Sequence, residues 1–272
     1  MTKLYGREVG AAHRNGSIGD LYWPDLTAGD GTPSEDGREW HRSCSPGILA
    51  YMARFPRGNN GAPQATKPTR VVLHERQPRT FETLLGNLAE HLPTLGYHRV
   101  GETEWTCGVV ELMALNVDGA TVDLSRILPT TAVMVSNDPN AIVDWAMPAW
   151  MPEAIRSRTP WHLGISTMGC NPAGLKRLDW DQRAGWYDHI GSQITGLRAH
   201  HDLHLSAIER DDAQWAYLVT APTKWRTSTE ECAVDAFSKQ GMSLQHAWWR
   251  TAPGSFREMV DVLFKTKLER ST

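Results

Sequence analysis

The chain has 272 residues, 40% apolar and 22% charged, with a formal net charge of −3; this ordinary globular usage excludes disorder, collagen and coiled coil as descriptions of the whole. A slightly acidic sum also excludes a uniformly polybasic nucleic-acid binder. No apolar run is long enough to cross a bilayer and the opening MTKLYGREVG lacks the apolar core of a secretion signal, so the expectation is a soluble, cytoplasmic protein with no membrane partner.

Residues 21–27 form a short apolar run that reads as a strand and ends in Ala28-Gly29-Asp30-Gly31. The stretch 32–69 is long and rich in Pro, Gly and Asn; it reads as an inserted basic loop carrying one helical piece at 46–55. Residues 70–75 give a β-branched strand ending in an acid. The segment 79–92 then places Phe81, Leu84, Leu85, Leu88 and Leu92 at helical spacing. Strands are predicted at 109–117 and 132–135, with a short helix at 120–128 between them. A second irregular segment, 159–181, holds a strand candidate at 162–167 and precedes a helix at 182–197. Residues 203–209 and 214–220 flank Arg210-Asp211-Asp212-Ala213 and read as a hairpin. The last stretch, 223–272, reads as a helical extension ending in an amphipathic helix at 256–268 with Met259, Val260, Leu263 and Phe264 on one face.

This alternation predicts an α/β fold in a single domain over 1–272: a mostly parallel, seven-stranded sheet covered on both faces and closed by a C-terminal antiparallel hairpin. The four cysteines, Cys44, Cys107, Cys170 and Cys232, are isolated, without any C-x-x-C. They read as reduced thiols, and no metal site is expected.

Chemistry enters at Asp25-Leu26-Thr27-Ala28-Gly29-Asp30-Gly31, a D-x-x-A-G-x-G segment closing the first strand. A nucleotide-like ligand at the carboxyl end of that strand approaches bare main chain, which accounts for Gly29 and Gly31. An ordinary glycine turn is the alternative. No third glycine completes a dinucleotide fingerprint. The segment resembles motif I of class I S-adenosylmethionine (SAM)-dependent methyltransferases, whose Rossmann-like sheet has the arrangement just described. The resemblance implies SAM as cofactor, with Asp25, Ala28, Gly29 and Gly31 shaping its pocket.

Further elements follow in the same order as in that superfamily. Glu75 ends the second strand, where a carboxylate meets the ribose hydroxyls; a solvated strand end is the other reading. Asn116-Val117-Asp118-Gly119 falls where Asp118 would contact adenine, or forms a simple turn. Ser136-Asn137-Asp138-Pro139-Asn140 falls at motif IV of amino-group methyltransferases, which implies catalytic roles for Asn137, Asp138 and Pro139. An amine attacking a methyl group needs an acceptor that orients its lone pair. Asn140 stands where an aromatic ring normally stacks on the target base, a place Trp145 or Trp150 could take over. Over residues 20–140 the chain also resembles the three-Cys-motif partner family, through Tyr22 to Gly31, Cys44-Ser45-Pro46-Gly47-Ile48-Leu49, His74-Glu75 and Asp138-Pro139-Asn140, departing from it at Thr27, Cys44 and Asn140.

Charge is uneven. Residues 38–80 hold eight Lys and Arg against Glu39 and Glu75, and Arg38, Arg42, Arg54, Arg57 and Lys67 are candidate phosphate contacts, a solvated face being the alternative. The expected partner is nucleic acid, DNA ahead of RNA, and the expected reaction is methylation of an amino group of a base, adenine N6 favoured. The competing expectation is a catalytically silent protein that keeps the fold and binds nucleic acid. A weaker option is a phosphoesterase using His162 and His204. The cluster His200-His201-Asp202-Leu203-His204 is metal-like in composition, but neighbouring residues of an extended strand point oppositely.

Overall fold

The computed structural model describes residues 19–35, 37–55, 67–122, 127, 131–137, 166–170, 201–210, 213–222, 231 and 243–249, the strands beyond residue 165 by their backbone paths. The chain divides into two compact units, residues 1–136 and 137–272.

The first unit contains strands β1 (Leu21–Asp25), β2 (Thr69–His74), β3 (His98–Arg99), β4 (Glu104–Cys107), β5 (Val110–Leu115), β6 (Ala132–Val133) and β7 (Val135–Ser136). Its parallel part runs β5-β2-β1, with β6 and β7 both on the far side of β1. Strand β2 shows why this part is parallel and covered: Val71, Val72 and Leu73 are all buried, a continuous apolar run rather than an alternating one. Helix α1 (Ser45–Arg54) has Pro46 in its first turn, a place where the missing N–H costs nothing, and buries Leu49, Ala50, Met52 and Ala53. Helix α2 (Pro78–His91) also opens on proline, and its Leu84 and Leu88 are fully buried, each contributing about 2 kcal/mol through removal of apolar surface from water. A 3-10 turn, Leu92–Leu95, ends in Gly96 at φ +75°, which stops the helix.

The chain leaves β1 to build β2 and β5 on one side, then returns to place β6 and β7 on the other. The carboxyl ends of β1 and β7 therefore flank a topological switch point, the crevice where open α/β sheets bind ligands.

One expectation is corrected: the sheet is mixed rather than mostly parallel. Strands β4 and β3 add to β5 in antiparallel fashion. The cause is local. Gly108, at φ +62°, and Val109 make a two-residue hairpin between β4 and β5, so the strand predicted at 109–117 is the second arm of a ribbon. The short, polar β3 and β4 have too few residues to show a period. The helix predicted at 120–128 is, in its described part, a 3-10 turn at Gly119–Thr121.

In the second unit, β8 (Ser166–Cys170), β9 (His201–Arg210), β10 (Ala213–Pro222) and β11 (Ser243–Trp249) pair antiparallel in the order β8-β10-β9-β11. The hairpin across Arg210 to Ala213 is β9–β10. The extension expected to be helical contains β11, whose Leu244, His246 and Trp248 recur every second residue, a strand period. The helices predicted at 182–197 and 256–268 lie outside the described residues. No described helix is long and apolar enough to cross a membrane.

Candidate functional site

The site begins with a buried carboxylate. Asp25, the last residue of β1, is 1% exposed. Its Oδ2 accepts from Ser45 Oγ at 2.5 Å and its Oδ1 from the Thr27 amide at 3.3 Å. The side chain thus bends the chain after the strand and ties that bend to the first residue of α1. Its carbonyl accepts from His74 Nδ1 at 2.9 Å, and the Ala28 amide donates to the His74 carbonyl at 3.0 Å. Burial pushes the His74 imidazole below its usual pKa, an effect partly offset by hydrogen bonds to the Asp25 and Val72 carbonyls. A carbonyl can only accept, so the neutral ring carries its proton on Nδ1.

Gly29 and Gly31 both lie at φ +67°, a left-handed conformation that favours glycine. Their surroundings differ. A Cβ on Gly29 would meet nothing within 4 Å, whereas one on Gly31 would sit 3.0 Å from Leu84 Cδ1 and close to Pro46 and Asn87. Gly31 is the packing glycine beneath the helices, and Gly29 is the bare one. The carbonyls between them are captured: Asn87 Nδ2 donates to the Asp30 carbonyl at 2.8 Å and Trp40 Nε1 to the Gly31 carbonyl at 2.8 Å. Trp40 is buried and stacks on His91, with ring centroids 5.2 Å apart. Among the described residues, the N–H groups of Gly29 and Asp30 meet no acceptor, and that of Gly31 closes a turn back on Ala28 without a hydrogen bond of normal geometry, so main-chain donors remain for a ligand or solvent.

Glu75 follows β2 and is 9% exposed. Its Oε1 accepts from the Gln77 amide at 2.7 Å, which fixes the carboxylate at the start of α2; among the described residues nothing binds Oε2. Asn116 Nδ2 holds the Glu75 carbonyl at 2.8 Å. Asp118 is exposed, in a turn where its carbonyl accepts from the Thr121 amide and hydroxyl. Gly119 presses on the first loop, since a Cβ there would lie 2.5 Å from the Leu26 carbonyl oxygen. Asp25, Ala28, Gly29, Gly31 and Glu75 are therefore gathered at one end of the parallel strands, with the Asp118 turn against them. Asn137 follows β7 and is 6% exposed. Asp138, Pro139, Asn140, Trp145 and Trp150 lie outside the described residues.

The basic candidates do not form one patch. Arg38 and Arg42 are exposed beside Trp40, Arg42 pairing with Glu39 at 3.4 Å. Arg54 is half-buried over the Phe55 ring, and a Cβ on Gly96 would lie 2.5 Å from its guanidinium. Lys67 lies just before β2, at the opposite end of the strands from the glycine loop. Arg57 lies outside the described residues. Cys44 has its thiol pKa pushed up to about 11, chiefly by burial, so it is protonated at neutral pH and is no nucleophile.

Sequence reasoning passed over Trp40 and Asn87, and quoted Ser45, His74 and Asn116 inside motifs without a role of their own. Only Asn87 left a signal, as an amide beside Leu84 and Leu88 on the apolar side of a helix. The indole of Trp40 gave none, being one of 12 tryptophans.

No family model matches the chain, and no curated protein matches it. Among solved structures, a Legionella pneumophila protein of the DUF519 family overlaps 90% of this chain and 95% of its own at 12% identity, TM-score 0.46. A Klebsiella pneumoniae protein named as an O-methyltransferase overlaps 80% and 79% at 9% identity, TM-score 0.42. An rRNA methylase from Streptococcus thermophilus overlaps 79% and 97% at 14% identity, TM-score 0.37. Similarity of that degree carries no functional weight by itself.

Proposed function

We propose that the protein is a SAM-dependent methyltransferase acting on an amino group of a nucleic-acid base, with adenine N6 in DNA the favoured acceptor. The observation that carries this reading is Gly29: left-handed, with nothing above its Cα, at the switch point of the sheet and joined through Ala28 and His74 to the strand that Glu75 follows. The residue pattern over 20–140 resembles the three-Cys-motif partner family and adds weight.

SAM supplies an activated methyl group on a sulfonium. The chain's own residues do the rest. Gly29 leaves room for the cofactor to lie on main chain, and the amides of Gly29 to Gly31 suit its carboxylate. Glu75, held by Gln77 and Asn116, offers Oε2 to the ribose hydroxyls as a charge-assisted acceptor. Asp118 faces the adenine. Asn137, Asp138 and Pro139 orient the acceptor amine so that its lone pair points along the bond to be broken. Arg38 and Arg42, on the segment that Trp40 fastens to the loop, contact phosphates.

Titration calorimetry with SAM tests the cofactor: binding by the native protein and none by Gly29→Arg is expected, and no binding by either defeats the reading. Mass spectrometry of nucleosides after incubation with DNA and with RNA tests the acceptor. A methylated amino group on a base is expected, and methylation confined to protein or small molecules rules the acceptor out.

A further inference from the structure

Neither Trp40 nor Asn87 belongs to the motifs that point to the cofactor, yet each spends a side-chain donor on a carbonyl of the glycine loop. In a trans peptide the C=O and the N–H point in opposite directions. By holding the Asp30 carbonyl at 2.8 Å, Asn87 turns the Gly31 N–H to the side away from α2. By holding the Gly31 carbonyl at 2.8 Å, Trp40 fixes the next peptide plane, whose Thr32 amide donates to Asp30 Oδ1 at 2.9 Å. Gly31 is thus clamped on both sides, and its N–H, which closes a turn back on Ala28, makes no hydrogen bond of normal geometry among the described residues. A left-handed glycine is soft, and without the two clamps both planes could rotate at little cost. The clamps are themselves held. Trp40 stacks on His91 of α2, and a Cβ at Gly47 would lie 2.5 Å from the Trp40 carbonyl oxygen, so α1 and α2 both brace the indole segment.

We infer that Trp40 and Asn87 are positioning residues, which act through the glycine loop by fixing the peptide planes on either side of Gly31 and so the direction of its N–H toward the carboxylate of the cofactor's amino-acid part. This rests on the reading of the loop as a SAM site. It adds that two side chains from outside the loop set affinity for one portion of the ligand and leave the adenosine portion alone.

The two portions can be separated with two ligands. S-adenosylhomocysteine carries the amino-acid carboxylate, and 5′-methylthioadenosine lacks it. Calorimetry is run with the full chain as native protein, Trp40→Phe (ring kept, donor removed) and Asn87→Leu (size kept, donor removed). Each variant is expected to lose roughly tenfold in affinity for S-adenosylhomocysteine, the scale of a weakened charge-assisted hydrogen bond, with affinity for 5′-methylthioadenosine unchanged. Equal losses for both ligands would mark a merely structural role and overturn the inference, as would no loss for either. Native protein that binds neither ligand removes the SAM reading and this inference with it, an outcome distinct from a change confined to the variants. Should Trp40→Phe fail to fold by circular dichroism, Asn87→Leu, half-exposed on α2, carries the test.

Discussion

The two ends of the parallel strands in the first unit are built on different principles. At the amino end, Asp20 Oδ1 accepts from Thr131 Oγ1 at 2.9 Å, and Arg70 pairs with Glu111 at 2.9 Å while both stay more than half exposed. A cavity of about 260 Å³ opens there beside Asp20, Tyr22, Arg70 and Glu111. At the carboxyl end, Asp25, His74 and Glu75 are all buried, and side chains from four segments hold main-chain carbonyls. Burying polar groups costs free energy that a fold does not otherwise need to spend. The charged groups of the amino end remain in water, as surface charges normally do. The difference teaches that a concavity is a weaker sign of function than a concentration of buried, fully directed polar groups.

The sharpest way to break that comparison is Gly29→Arg. A non-glycine residue at φ +67° costs roughly 1–2 kcal/mol, and the space above Gly29 is open, so the variant is expected to fold with a slightly lowered melting temperature. Cofactor binding should disappear in calorimetry. Gly31→Ala is the counterpart: its Cβ would press on Leu84, so stability rather than binding should suffer first. If Gly29→Arg binds SAM normally, the carboxyl end is not the site.

Glu75→Gln is the next largest. Glutamine keeps an oxygen to accept from the Gln77 amide but loses the charge, so the turn into α2 survives while the contact to two hydroxyls weakens. A loss of about tenfold in affinity for any adenosine ligand is expected, with melting unchanged within about 0.5 kcal/mol. An unaltered affinity would return Glu75 to its alternative as a strand end.

The carboxyl end was partly legible in sequence because its demands fall on residue types. A strand followed by D-x-x-A-G-x-G needs glycine where the backbone turns left-handed, and Glu75 follows a β-branched run. The parallel strands and both helices were readable from apolar spacing, as Leu84 and Leu88 show. What escaped was whatever depends on tertiary placement. Trp40 is a core-like residue in a Gly- and Pro-rich insert, and only the folded chain brings its indole to the Gly31 carbonyl. The β3–β4 ribbon escaped because two- and four-residue strands leave no period, although Gly108 marked its turn. Charge was misleading at Lys67: its place in a basic stretch gave no warning that a strand's length separates it from the glycine loop.

His74 gives a pH-dependent test of how tightly the carboxyl end is built. Its folded pKa lies below the unfolded value of about 6.5 because burial disfavours the cation. Below that pH the unfolded chain binds more protons than the folded one, so stability is full above about pH 6.5 and falls as the pH drops through it. His41 is shifted in the same direction, so the comparison needs a variant. Thermal melts at pH 7.5 and 5.5 should show native protein losing more on acidification than His74→Gln, whose amide can still donate to the Asp25 carbonyl. Parallel losses would mean that the ring is not neutral and buried in the way its contacts require.

The smallest effect belongs to the amino end and completes the comparison. Arg70→Ala removes the partner of Glu111 from a pair in which both side chains are more than half exposed. Solvent screening and the entropy of two long side chains leave such pairs with little net worth, so denaturant unfolding should shift by no more than about 0.5 kcal/mol. Because Arg70 is the second residue of a six-residue strand whose far end carries His74, it stands roughly 15 Å from the glycine loop, and SAM affinity should not change. The contrast with Gly29→Arg is the decisive feature: one substitution leaves the fold nearly intact and removes binding, the other leaves both. Loss of binding in Arg70→Ala together with normal binding in Gly29→Arg would move the ligand to the amino-end cavity and invert the assignment of the two ends.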